Sequence, residues 1–231
     1  MDMLGGEVMD QKLNLLQYTL PIIQAPDFTS YSYFVSHSNQ DAYQLIEAWP
    51  NWPFKRCVVL GPSGYGKTHL GHILKDLMQG IFLDAKELTE DMYTTIQPNT
   101  CYIIDNIQAV QDPKLLFHFY NLTLENDCIV VYLSEMAPGK MDTNLADLNS
   151  RLRSLPVIEL SQPDEELCRA IIKKIFSDLQ INVSEEIIQY LMFHTSRNLS
   201  DIQLNLKALN QRSLEEKRNI TIPFIKNVLK L

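Results

Sequence analysis

The sequence predicts an α/β fold, a parallel sheet with helices on both faces, followed by a small all-helical subdomain. Three observations predict it. Apolar runs of strand length alternate with amphipathic segments from residue 38 to about 160, which is the pattern of a parallel sheet joined by crossover helices. A glycine-rich turn, GPSGYGKT at 61–68, joins one of those strands to a helix. After SQPDEE at 161–166 only helical periodicity remains. The 231 residues and 45% apolar content suffice for one core and an appendage.

Taken in order, residues 1–30 are expected to form a flexible lead. Pro21 and Pro26 interrupt any helix there, and one apolar island, QKLNLLQYTL, occupies 11–20. SNQDAYQLIEAW at 38–49 sets Ala42, Leu45, Ile46 and Trp49 at helical spacing. There follow strand RCVVL, helix KTHLGHILKDLM, strands IFLDA and CYIIDN, helix DPKLLFHFYNLTLEN, strand CIVVYLS, helix TNLADLNSRLR and strand VIEL. Pro163 with three acids behind it is a strong helix start, and further amphipathic segments lie near 184–194, 199–216 and 222–230. The expected domains are thus 1–30, a lead segment; 31–160, the α/β domain; and 161–231, a helical lid.

Composition narrows the function classes. Twenty basic against 28 acidic residues leave −8, which disfavours a broad basic face for duplex DNA and sequence-specific DNA binding with it. Cys57, Cys101, Cys128 and Cys168 are far apart and mostly in apolar runs, the usage of buried hydrophobes in a reducing compartment. With no signal-like N-terminus and no run of about 18 apolar residues, a cytoplasmic protein without membrane contact is expected.

Gly61, Pro62, Ser63, Gly64, Tyr65, Gly66, Lys67 and Thr68 fill the pattern G-x-x-x-x-G-K-[ST] between a strand and a helix, the context a phosphate-binding P-loop requires. Glycines let backbone N–H groups turn toward phosphate oxygens, and the following helix adds its positive end. Lys67 suits the β/γ region of ADP or ATP, and Thr68 suits Mg²⁺. Asp105 ends the strand CYIID and is the candidate second Mg²⁺ carboxylate. The plainer alternatives are a glycine-rich connecting turn and a strand-end turn aspartate. The next residue is Asn106, which cannot accept a proton from an attacking water. That pair points to nucleotide binding with poor turnover.

Several segments together resemble the DnaA-type AAA+ family, most closely its short regulatory Hda branch. They are YFVSHSNQDAYQLIEAW (33–49), YIIDNIQ with its Asp-Asn, LADLNSRLRS (145–154) and the C-terminal RNITIPFIKNVLKL (218–231). The resemblance implies that Tyr33, Phe34 and Val35 lie over the adenine, and that Arg151 is an arginine finger acting in trans on nucleotide held by a neighbour. It sets Ser134 near the sensor-1 position. Where the family's lid helix carries a sensor-2 arginine, this sequence has Ser200 in N-L-S-D-I, with Arg197 as a stand-in one turn earlier. The resemblance also implies a glutamine-led peptide for the DNA polymerase sliding clamp. Gln11, Leu13, Leu15 and Leu16 are its nearest match, with Asn14 where a leucine is expected. The expected partners are therefore a DnaA initiator and the clamp, with homodimerisation left open and no initiator-type helix-turn-helix domain expected after residue 231. The implied function is promotion of hydrolysis of initiator-bound ATP, with a free-standing P-loop ATPase of the helicase-loader type as the alternative.

Overall fold

The structure is a computed structural model and describes residues 33–231. Five strands, β1 (Arg56–Leu60), β2 (Ile81–Asp84), β3 (Cys101–Asp105), β4 (Ile129–Ser134) and β5 (Val157–Glu159), form one parallel sheet in the order β2-β3-β4-β1-β5. The three central strands are apolar nearly throughout because helices cover both of their faces. Successive residues alternate between two cores. Val58, Tyr102, Ile104, Val130 and Tyr132 face one cluster, while Cys57, Val59, Ile103, Val131 and Leu133 face the other.

Helices α1 (Gln40–Ala48) and α2 (Lys67–Leu77) cover the second face. Gly71 allows α2 to lie against the sheet, since a Cβ there would sit 2.7 Å from Leu133 Cδ1 and 2.9 Å from Phe82 Cε2. Helices α3 (Pro113–Glu125) and α4 (Ala146–Arg153) cover the first face. The start of α3 follows from Asp112, whose carboxylate accepts the Lys114 N–H, and from Pro113 in the first turn.

The remaining helices, α5 (Glu165–Asp178), α6 (Glu185–His194), α7 (Leu199–Glu216) and α8 (Ile222–Leu229), enclose a separate core that includes Leu167, Ile172, Phe176, Leu206, Leu209 and Phe224. Asp164, Asn198 and Thr221 cap α5, α7 and α8 through their side chains. The fold class is the expected one, and the elements anticipated between 38 and 230 are present with small shifts at their ends. All four cysteines are free and buried, and burial pushes the Cys57 thiol up to about 12. Among the described residues no helix is long and apolar enough to cross a membrane.

Candidate functional site

The loop 61–66 leaves the C-terminal end of β1 and turns into α2. Gly64 and Gly66 have φ of +76° and +96°, values at which a side chain is strained, so glycine at both follows from the turn itself. Lys67, the first residue of α2, is 5% exposed, and its Nζ donates to the carbonyls of Gly61 at 2.7 Å and Pro62 at 3.0 Å. Two of three ammonium N–H groups are thereby spent on the loop. Burial lowers the Lys67 pKa, and the carboxylates of Glu135 and Asp105 oppose that shift. Glu135 Oε1 lies 3.9 Å from Nζ.

Thr68 Oγ1 donates to Asp105 Oδ2 at 2.7 Å, which brings the two candidate Mg²⁺ residues together across 37 positions of sequence. Asp105 is 4% exposed, and its other oxygen accepts the Asn106 N–H at 2.8 Å. A hydroxyl and a carboxylate beside a buried ammonium at the start of a helix suit a polyphosphate with a hard, oxygen-seeking cation. Lys67, Thr68 and Asp105 would hold that pair. Asn106 adopts a left-handed conformation, φ +57°, that asparagine tolerates, and its amide donates to Asp84 Oδ2 at 2.9 Å. Its side chain is therefore tied to the end of β2.

Ser134 ends β4 beside the loop: its carbonyl accepts the Gly61 N–H at 3.1 Å and its hydroxyl donates to the Met136 carbonyl at 2.7 Å. A cleft of about 320 Å³ opens here, lined by Gly61, Pro62, Glu135, Lys140 and Glu159 among others.

Of the residues expected over an adenine, Tyr33 stacks at an interplanar angle of 11° on both His69 and Tyr43, at 5.8 and 6.1 Å. Burial raises its hydroxyl pKa above the ordinary value, against a hydrogen bond with Asn39 that lowers it. Phe34 and Val35 are 38% and 44% exposed. Asn39 holds this segment by accepting the Ser36 N–H and donating to the Phe34 carbonyl, both at 2.8 Å. The Ser38 N–H donates to Asp164 Oδ2 at 3.1 Å, joining the segment to the start of α5.

The lid reaches the loop through a residue that sequence reasoning passed over. Asn198 Nδ2 donates to the Ser63 carbonyl at 2.8 Å, and the Leu199 N–H donates to the Gly64 carbonyl at 2.9 Å. A Cβ on Gly64 would collide with the Asn198 side chain. Ser200 is exposed, and its N–H is capped by Asn198 Oδ1. Arg197 is exposed too, with its carbonyl accepting from Cys168 Sγ at 3.9 Å. The helix-start character of Asn-Leu-Ser-Asp was the only local signal for Asn198.

Arg151 stands elsewhere. Its Nη1 donates to Asn121 Oδ1 at 2.6 Å, and Nε and Nη2 donate to the two Asp147 oxygens at 3.2 and 3.3 Å. The guanidinium lies 5.3 Å from the Phe117 ring centroid and 5.4 Å from that of Tyr120. Arg56, at the start of β1, lies 5.4 Å from the same Tyr120 ring. Arg151 therefore sits on the α3–α4 side of the sheet, beside a ring that the residue opening β1 also approaches, while the loop follows the end of β1. Arg153 is exposed. Gln11, Leu13, Leu15 and Leu16 lie outside the described residues.

Known proteins show the same architecture. A family described as Hda, lid domain, matches residues 164–229. The chain is similar to the chromosomal replication initiator protein DnaA of Nautilia profundicola, 23% identical over 99% of this chain and 59% of that protein. To the DnaA of Wolinella succinogenes it is 26% identical over 89% of this chain and 52% of that one. The chain spans about half the length of the curated relatives it matches. Among solved structures, domain III of Thermotoga maritima DnaA superposes with a TM-score of 0.78 at 17% identity, covering 89% of this chain and 97% of that one. AMPPCP-bound DnaA from Aquifex aeolicus gives 0.67 at 20% identity, over 84% and 68%. A five-stranded parallel sheet with a glycine-rich loop after β1 and a helical lid, together with these matches, is the fold of the DnaA-type AAA+ domain. Within that class, the lid match relates the chain to Hda.

Proposed function

We propose that this protein is a nucleotide-holding regulator of DnaA-dependent replication initiation. It holds ADP or ATP with Mg²⁺ at residues 61–68 and Asp105, under Tyr33, Phe34 and Val35. It presents Arg151 to ATP bound in a DnaA initiator while docked on the sliding clamp through the segment containing Gln11, Leu13, Leu15 and Leu16. The observation that carries this reading is the place of Arg151: its guanidinium is held by Asn121 on α3 and Asp147 on α4, apart from the residues gathered at its own loop, and exchanging those contacts for a phosphate would let it serve another subunit's. Phosphoryl transfer spreads negative charge over the γ-oxygens, and an arginine delivered in trans can raise the rate by roughly 10³ to 10⁵. Asn106, turned toward Asp84, supports weak hydrolysis in cis.

The test is hydrolysis of ATP pre-bound to a cognate DnaA with DNA-loaded clamp present. Acceleration by the wild type is expected; no acceleration over DnaA alone would defeat the regulatory reading. The alternative, a free-standing ATPase, draws on Glu135, a carboxylate 3.9 Å from Lys67 Nζ. It predicts turnover in the usual enzyme range by the protein alone.

A further inference from the structure

The lid of this protein touches the phosphate loop by hydrogen bonds to main-chain carbonyls, and those carbonyls belong to the peptide planes that carry the loop's N–H groups. Asn198 Nδ2 takes the Ser63 carbonyl and the Leu199 N–H takes the Gly64 carbonyl. In a trans peptide the C=O and the following N–H point in opposite directions. Holding the Ser63 and Gly64 carbonyls toward the lid therefore turns the Gly64 N–H to the opposite side of the loop and the Tyr65 N–H back toward the Pro62 carbonyl, which accepts it at 3.4 Å. The Gly64 conformation, φ +76°, is one that glycine leaves easily, so an external restraint on its two flanking planes has something to restrain. The fit is close enough that no side chain could replace the Gly64 hydrogen without displacing Asn198.

We infer that Asn198 is a positioning residue for phosphate binding, which couples lid closure to the loop backbone and hence to the phosphates shared by ADP and ATP, without reading the terminal phosphate. This inference rests on the nucleotide reading proposed above and gives that reading a specificity. Ser200, exposed and uncharged, brings no cation to the first turn of α7. The coupling therefore runs through geometry. A lid that closes on the loop in this way stabilises either nucleotide, and each nucleotide in turn stabilises the closed lid by the same factor.

Asn198→Ser separates this role from simple helix capping, because serine caps a helix as well as asparagine but lacks the amide that reaches Ser63. Two measurements are made on the full chain. Calorimetric titration with MgADP and with MgATP is expected to show affinity reduced about three- to tenfold for both, by the same factor, as loss of one hydrogen bond implies. Amide hydrogen exchange without nucleotide is expected to quicken at Leu199 and in the loop, with the middle of α7 unchanged. Equal affinities in wild type and variant, or a loss confined to MgATP, would overturn the inference while leaving nucleotide binding intact. Wild type that binds neither nucleotide would overturn the nucleotide reading and this inference with it.

Discussion

The two ends of the sheet are built on opposite plans. Where β1 ends, the site is made mostly of main chain: glycine-permitted amides, a lysine folded back onto loop carbonyls, and a threonine–aspartate pair joined at 2.7 Å. Where β1 begins, it is made of side chains on rigid helices. Phe117, Tyr120 and Asn121, on one face of α3, hold the Arg151 guanidinium that Asp147 also binds. The first plan suits receiving an anion, whose charge assembles the loop around it. The second suits presenting a cation, whose place must be set before the partner arrives. Under the proposed function, the first end holds the protein's own nucleotide and the second serves nucleotide held by another molecule.

The largest expected effect tests the presenting end. Arg151→Ala should lower stimulation of DnaA-bound ATP hydrolysis by about 10³-fold or more, with the variant's own nucleotide affinity unchanged in a titration. A matching fall in affinity would mean that the two ends are not independent. Next is the receiving end: Lys67→Ala should weaken MgADP binding by about 100-fold, the scale of a lost charge-assisted contact, with thermal stability within a few degrees of wild type.

Gly71→Ala touches neither end. The added methyl meets Leu133 and Phe82 across the α2–sheet contact and should destabilise the fold by about 1–3 kcal/mol in denaturant titration. Loss of both functions in proportion to the unfolded fraction is the expected pattern. The smallest effect concerns Asp164. Burial raises its pKa, but donors from Leu167, Ser36 and Ser38 outweigh that and leave it below the ordinary carboxylate value. A depressed folded pKa contributes stability above the unfolded value and loses it as pH falls through the folded one. Asp164→Asn should therefore be less stable than wild type near neutrality, with the gap closing in strongly acidic buffer. A gap independent of pH would assign Asp164 a purely capping role.

Much of this architecture is legible in the amino-acid sequence. The alternation of strands and helices, the change to helices after Pro163, and the P-loop between β1 and α2 are local patterns, each set by a few adjacent residues and a known period. The family resemblance marks Arg151, but not what holds it. Three contacts are decided only by the tertiary structure: Asn198 on Ser63, 135 residues apart, Asp164 on Ser38, 126 apart, and Arg151 on Asn121, 30 apart. In the first the partner is a backbone group, which every residue type supplies, so no choice of amino acid at Ser63 announces it; in the second the Ser36 and Ser38 side chains add to the Ser38 N–H, but nothing local says that their partner is Asp164. The third depends on two helices meeting on the same sheet face, and only the order β2-β3-β4-β1-β5 puts them there. Local pattern determined which elements form and where phosphate chemistry can occur. Packing across the sheet determined which side chains finish the site, because those partners are chosen by proximity after the strands have taken their order.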